Sequence, residues 1–194
     1  MKIVDVIGYN RTEIGKKSSK DLRRAGNVPC VMYGGEEGNL HFHSPMILFR
    51  DLVYTPEVCF VNMDIEGKEY KCILQDVQFH PVSEIILHAD FLRLYDDVPV
   101  MMEIPVKFVG NSPGLQKGGK LSTKLRKIKV KALPKDMPEN VEVSLEGLEL
   151  GQSVKVKSVD AQNYEILSGP NVTIASVTIP RALRSAQAKG EGEE

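Results

Sequence analysis

Apolar residues in this 194-residue chain recur at every second position over short runs, and Gly or Pro breaks most of these runs before they reach helix length. That spacing puts one face of an extended segment in a core and the other in water, which is the signature of strands. The segments 98–109, 128–133, 141–145, 153–159 and 172–179 all follow it, and no long amphipathic helix is expected after Val53. The second half should therefore be all β. The first half mixes strands with two short helices. Strands are expected over 2–7, 28–33, 40–43, 57–65, 69–79 and 85–94, with Glu66-Gly67-Lys68 as a hairpin turn. Ser18-Ser19 is read as the cap of a helix over 20–25 that Gly26 stops. Ser44-Pro45 is read as a second helix start, with Ile47, Leu48, Leu52 and Val53 on its apolar face. The texture changes at Asp96-Asp97. The expected organisation is a domain over 1–95, a β-rich domain over 96–181 and a disordered tail over 182–194.

A hydrophobic content of 42% is enough for real cores, so disorder throughout is excluded. The net charge of −1 hides segregation that matters more to a polyanion. Between Lys2 and Gly35 seven basic residues face three acids, and between Gln116 and Lys131 there are seven basic residues and no acid. Acids gather at Glu139, Glu142, Glu146 and Glu149. Cys30, Cys59 and Cys72 are odd in number, lack CxxC spacing and sit in apolar runs, so reduced, buried thiols are expected. No run has the length of a signal peptide's apolar segment at the N-terminus or of a membrane span, and a cytoplasmic location is the expectation.

Three catalytic or metal patterns fail on chemistry. Residues 114–120 fit G-x4-G-K, but Leu121 replaces the Ser or Thr that would hold magnesium, and a β pattern follows where a helix should start. A basic hairpin loop is the better reading of this stretch. His41 with His43, and His80 with His88 and Asp90, lack zinc spacing and a third or fourth ligand. A Ser-His-Asp set has no G-x-S-x-G turn to carry its nucleophile. No enzyme activity, metal or cofactor is expected. What remains is a basic segment around a Gly/Ser loop and a helix start (Arg11, Lys16, Lys17, Lys20, Arg23 and Arg24), with Tyr33 beside it. Such groups neutralise phosphates, and an aromatic ring can stack on a base. His88 and Asp90 share one strand face, Gln78 and His80 repeat the arrangement, and Gln75 is placed with Val77 on the opposite face.

These residues also carry a resemblance. Arg11-Thr-Glu-Ile-Gly15-Lys16, Ser19, Leu22-Arg23-Arg24 and Val28 to Gly34 resemble the opening signature of bacterial ribosomal protein twenty-five. Leu74 to Pro81 and Ile86 to Phe91 resemble that family's second signature. Pro105 to Gly110, Gly114 to Leu121, Leu133-Pro134 and Leu148 to Gly151 resemble the extra domain of its long, Ctc-type members, also called general stress proteins. The resemblance implies a six-stranded β-barrel-like N-terminal domain with short helices, similar to the anticodon-binding domain of glutaminyl-tRNA synthetase. It implies binding of 5S rRNA at an irregular loop in the central protuberance of the large subunit, on the minor-groove side, beside neighbouring large-subunit proteins. Carried over by position, the RNA contacts would be Arg11, Lys16, Ser19, Lys20, Arg23, Tyr33, Gln75, His88 and Asp90. Arg and Lys would meet phosphates; Gln75, His88 and Asp90 would meet base edges and sugar hydroxyls. Asp21 stands where many members carry a basic residue and weakens the local field. The rival expectation is a stress-related protein-interaction module off the ribosome, working through the second half.

Overall fold

The computed structural model describes residues 1–35, 38–161 and 163–180; the expected tail over 182–194 lies outside the described residues. Two compact units emerge: Met1–Met102 with Leu133–Met137, and Glu103–Ala132 with the residues from Pro138.

In the first unit, β1 (Lys2–Asn10), β2 (Asn27–Tyr33), β3 (Leu40–Pro45), β4 (Cys59–Ile65), β5 (Lys68–Phe79) and β6 (Ile86–Arg93) close into a barrel in the order β1-β3-β2-β6-β5-β4. Helix α1 (Lys16–Arg24) lies between β1 and β2; a 3₁₀ turn (Met46–Phe49) running into α2 (Arg50–Val53) lies between β3 and β4. The barrel is mostly antiparallel, with β1–β4 and β2–β6 parallel. A six-stranded barrel has no lumen to spare, so inward side chains fill it. Val6, Val28, Met32, Phe42, Met63, Ile86 and Phe91 are buried there, and Phe49 joins them from the 3₁₀ turn, its ring centroid 6.2 Å from that of Phe91.

The β4–β5 hairpin turns on two residues. Glu66 (φ 52°) and Gly67 (φ 87°) both take positive φ, the primed turn that matches strand twist, and the Gly67 N–H donates to Asp64 Oδ1 at 2.8 Å. Pro45 closes β3 and precedes the 3₁₀ turn, so the second helix starts later than the Ser44-Pro45 signal suggests. On it Phe49 and Leu52 are buried, whereas Ile47, expected on the apolar face, is 75% exposed. A 3₁₀ turn has three residues per turn, which rotates Ile47 away from the face a 3.6-residue helix would give it.

The second unit contributes β7 (Val100–Val109, which begins in the first unit), α3 (Pro113–Gln116), β8 (Lys120–Thr123), β9 (Lys127–Ala132), β10 (Val141–Ser144), β11 (Ser153–Lys155), β12 (Glu165–Ile166) and β13 (Thr173–Thr178). They form a four-stranded sheet, β10-β7-β9-β12, and a three-stranded sheet, β11-β13-β8. Strand β9 shows the rule that builds them: Ile128, Val130 and Ala132 are buried while Lys127, Lys129 and Lys131 are exposed. Leu145, Leu148 and Val177 form a buried cluster with Phe108, Leu115 and Leu150 against it. Residues 114–120 are not an open basic loop. Ser112 caps α3, its Oγ donates to the Leu148 carbonyl at 2.6 Å, and Gly114 is buried against the backbone of Leu148–Leu150.

Candidate nucleic-acid interface

The site is built on the outer face of the barrel where β2, β6 and β5 lie side by side, flanked by α1. Helix α1 begins at Lys16 rather than after Ser18-Ser19, and no side chain caps it. Gly15, at φ 154° and ψ 174°, makes the entry, a region of backbone space essentially reserved for glycine. The Ser side chains serve the loop instead: Ser18 Oγ donates to the Glu13 carbonyl at 3.2 Å, and Ser19 Oγ accepts from Arg11 Nη2 at 3.1 Å. Arg11 therefore fastens the end of β1 to the first turn of α1, helped by its own N–H donating to the His41 carbonyl at 3.0 Å. Arg11 Nε is buried and makes no hydrogen bond.

No residue of α1 is buried, and no acid lies in its first turn. Lys16, Lys20 and Arg23 fall at i, i+4 and i+7, so they form one cationic stripe along the helix. The stripe is anchored at its far end. Arg23 Nε donates to the Leu87 carbonyl at 3.0 Å. A bulge makes that carbonyl available: Gln78 pairs with His88 and Phe79 with Ile86, so Leu87 has no ladder partner. Arg23 thus spends its Nε donor on fixing the helix against β6.

The floor between helix and sheet edge is acidic and polar. His88 and Asp90 point outward from β6, and His88 Nδ1 lies 2.7 Å from Asp90 Oδ1. A carboxylate only accepts, so Nδ1 carries the proton of this bond, which fixes the orientation of the ring. Tyr33, half-buried on β2, has its hydroxyl pKa raised by desolvation first and then by Asp90 and Asp76, so it remains a neutral donor with a flat ring. At the other margin His43, on β3, lies against the Tyr9 ring (centroids 5.5 Å apart) with its pKa lowered by desolvation and then by Arg11.

Gln75 is where the strand alternation misleads. A second bulge, between Leu74 and Asp76, lifts it out of the ladder, so it is exposed and does not share the face of Val77, which packs inward opposite Ala89. Beyond the bulge the phase is reversed. Asp76 becomes the Cα partner of Asp90, and Gln78 the partner of His88, so both join the outer face. Sequence reasoning left Asp76 out. The signal was present: Leu74 and Val77 are apolar and three apart, which a strict period of two does not allow. His80 lies beyond the strand, where its Nδ1 accepts from the Val82 and Ser83 N–H groups and locks the β5–β6 turn.

Arg11, Lys16, Ser19, Lys20, Arg23 and the outward groups Tyr33, Asp76, Gln78, His88 and Asp90 thus form a cationic rim beside a floor of hydrogen-bonding groups. Among the described residues no three His, Cys, Asp or Glu side chains are grouped to hold a metal, and no helix is long and apolar enough to cross a membrane. A rim of cations suits phosphates and an acceptor-rich floor suits base edges and hydroxyls.

Comparison with known proteins finds two family models on the chain. Residues 7–91 match the ribosomal L25p family, and residues 99–181 match the C-terminal domain of ribosomal protein TL5. The chain is 53% identical to large ribosomal subunit protein bL25 of Cytophaga hutchinsonii, over 97% of each chain. It is 48% identical to the protein of that name from Amoebophilus asiaticus, over 100% of this chain and 98% of the other. Against the one from Porphyromonas gingivalis the identity is 38%, over 97% and 99%.

Proposed function

The chain belongs to the bL25 family of large ribosomal subunit proteins, and from that premise we propose that it binds 5S rRNA in the central protuberance through the helix-flanked outer face of its barrel. The observation that carries the assignment is the division of charge across that face. Lys16, Lys20 and Arg23 line one margin, while Asp76 and Asp90, two carboxylates in direct register, lie on the floor. Carboxylates repel phosphates, so the floor is suited to donors such as base amino groups and 2′-hydroxyls. A wide, shallow A-form minor groove, or a distorted loop, presents both a phosphate margin and those donors.

In this arrangement Arg11, Lys16, Lys20 and Arg23 meet phosphates, and Ser19 holds Arg11 in place through its 3.1 Å bond. Tyr33 offers its ring and hydroxyl to a base or sugar. Gln75, freed from the ladder by its bulge, and the fixed His88–Asp90 pair meet base edges. Residues 1–95 are assigned as the RNA-binding domain and 96–181 as a second, β-rich domain facing other components of the central protuberance, a division that the two family matches support. Nothing in the site calls for bond chemistry; the task is positioning.

The test is a salt series of binding to 5S rRNA with the native chain beside Arg11→Ala/Lys16→Ala. Each lost phosphate contact should lower the slope of log affinity against log salt by about 0.9, so the double variant should lose up to about 2 units of slope as well as affinity. Equal binding by the native chain to 5S rRNA and to an unrelated structured RNA would remove the assignment.

A further inference from the structure

We propose that strand β9 carries a second RNA contact, a lysine ladder that tracks the phosphate backbone of an RNA duplex independently of the barrel site. Strand β9 has neighbours on both sides, β7 and β12, and its inner face is fixed by Ile128 and Val130, both fully buried. Its outer face repeats Lys127, Lys129 and Lys131, all exposed. Alternate residues of a strand stand about 6.7 Å apart, the same order as successive phosphates along a nucleic-acid strand. Lys124 and Arg126, also exposed, continue the positive run just before the strand.

The acids near the ladder are few and weakly placed. Glu103 on β7 lies 3.8 Å from Lys129, with both side chains more than half exposed. Glu165 on β12 is the Cα partner of Lys131. Exposed pairs of this kind contribute little and yield to a competing anion. They leave most of the ladder's field intact.

The apolar surface of this unit selects duplex RNA over a protein partner or single-stranded RNA. Protein interfaces are anchored by aromatic or large apolar side chains, and single-stranded RNA is held by stacking on aromatic rings. The aromatic residues of this unit, Phe108 and Tyr164, are half-buried, and its exposed large apolar side chains among the described residues, Leu167 and Val172, lie outside the strands. A row of compact ammonium charges without a stacking platform reads a backbone and not bases. A duplex offers that backbone in a regular, rigid form.

The experiment uses the full chain carrying Arg11→Ala/Lys16→Ala, so that the barrel contact is weakened in every sample. Its affinity for a 20-base-pair RNA duplex of arbitrary sequence is measured from 50 to 200 mM salt, with and without Lys127→Gln/Lys129→Gln/Lys131→Gln. Three phosphate contacts correspond to about 2.7 units of slope, so the parent should lose about 40-fold more affinity across that range than the ladder variant. Lys→Arg at the same three positions should restore the parent slope. Glu103→Gln, which frees Lys129, should tighten binding two- to fivefold. An unchanged slope in the ladder variant, with its thermal midpoint also unchanged, overturns the proposal. So does equal affinity of the parent for polyglutamate or for the separated single strands. Failure of the barrel site would instead show in the native chain's binding to 5S rRNA, which this background does not test.

Discussion

The carboxylate of Asp90 separates two accounts of the barrel face by the sign of its effect. Asp90 faces Asp76 in register across β5 and β6, and bonds His88 at 2.7 Å. Like charges directly opposite in a sheet destabilise it by about 0.2–1 kcal/mol, so Asp90→Asn relieves a repulsion. The amide oxygen still accepts from His88 Nδ1, so little is lost in exchange. The barrel should hold its stability or gain up to about 1 kcal/mol, a rise in thermal midpoint of at most several degrees. RNA binding should move the other way. If Asp90 accepts from a base amino group or 2′-hydroxyl, removing its charge weakens a bond worth about 1.5–3 kcal/mol, which is about 10- to 150-fold in affinity. Filter binding to 5S rRNA at fixed salt and thermal melting by circular dichroism report the two quantities separately. Unchanged or tighter binding by Asp90→Asn would mean that the floor faces phosphate, and the division of labour across this face would fail.

Three further outcomes follow from the same geometry. Gly114→Ala places a Cβ 2.7–2.9 Å from the backbone of Leu148–Leu150, which cannot move aside as a side-chain tip can, so the second unit should lose about 1–3 kcal/mol by melting. His43, whose pKa is lowered by burial and then by Arg11, binds fewer protons folded than unfolded below pH about 6.5. Its contribution to stability is therefore present above that pH and is lost as pH falls; His43→Gln should flatten the urea midpoint between pH 7.5 and 5, and an identical slope would exclude the mechanism. Burial pushes the Cys72 thiol up to about 12 and Cys30 higher still, while Cys59 is half-buried and raised less. A thiol reagent at pH 8 should then modify Cys59 slowly and the other two only in denaturant, and Cys59→Ser should abolish the native-state reaction.

Much of this architecture was legible because alternation is a strong signal wherever a strand buries one face. KIKVKA at β9 and the Glu66-Gly67 turn show their structure in their residues. What escaped were places where tertiary geometry outweighs a local signal. Ser18-Ser19 looks like a helix cap, yet the strained backbone at Gly15 starts α1 and the hydroxyls serve the preceding loop. The two-residue β12 and four-residue β8 are too short to show a period. At the interface, residue chemistry was readable from the cluster of Arg and Lys, but Asp76 was not, because one bulged residue reverses the phase of everything after it. Bulges arise from pairing with a neighbouring strand, and the segment records that pairing only through the three-residue spacing of Leu74 and Val77.

The strand order has a consequence for the order of events during synthesis. β6 is the last strand of the barrel to be made, yet it sits between β2 and β5. Until it arrives, those two strands have open edges, and an open edge is a template for pairing with another chain. Every residue of β6 is made by Arg93, with β7 to β13, which end at Thr178, still to be added. At about 5–20 residues per second, that leaves roughly 5–20 seconds in which the barrel can close while its companion unit is being assembled. A chain interrupted before residue 86 would carry the edges and lack the strand that seals them.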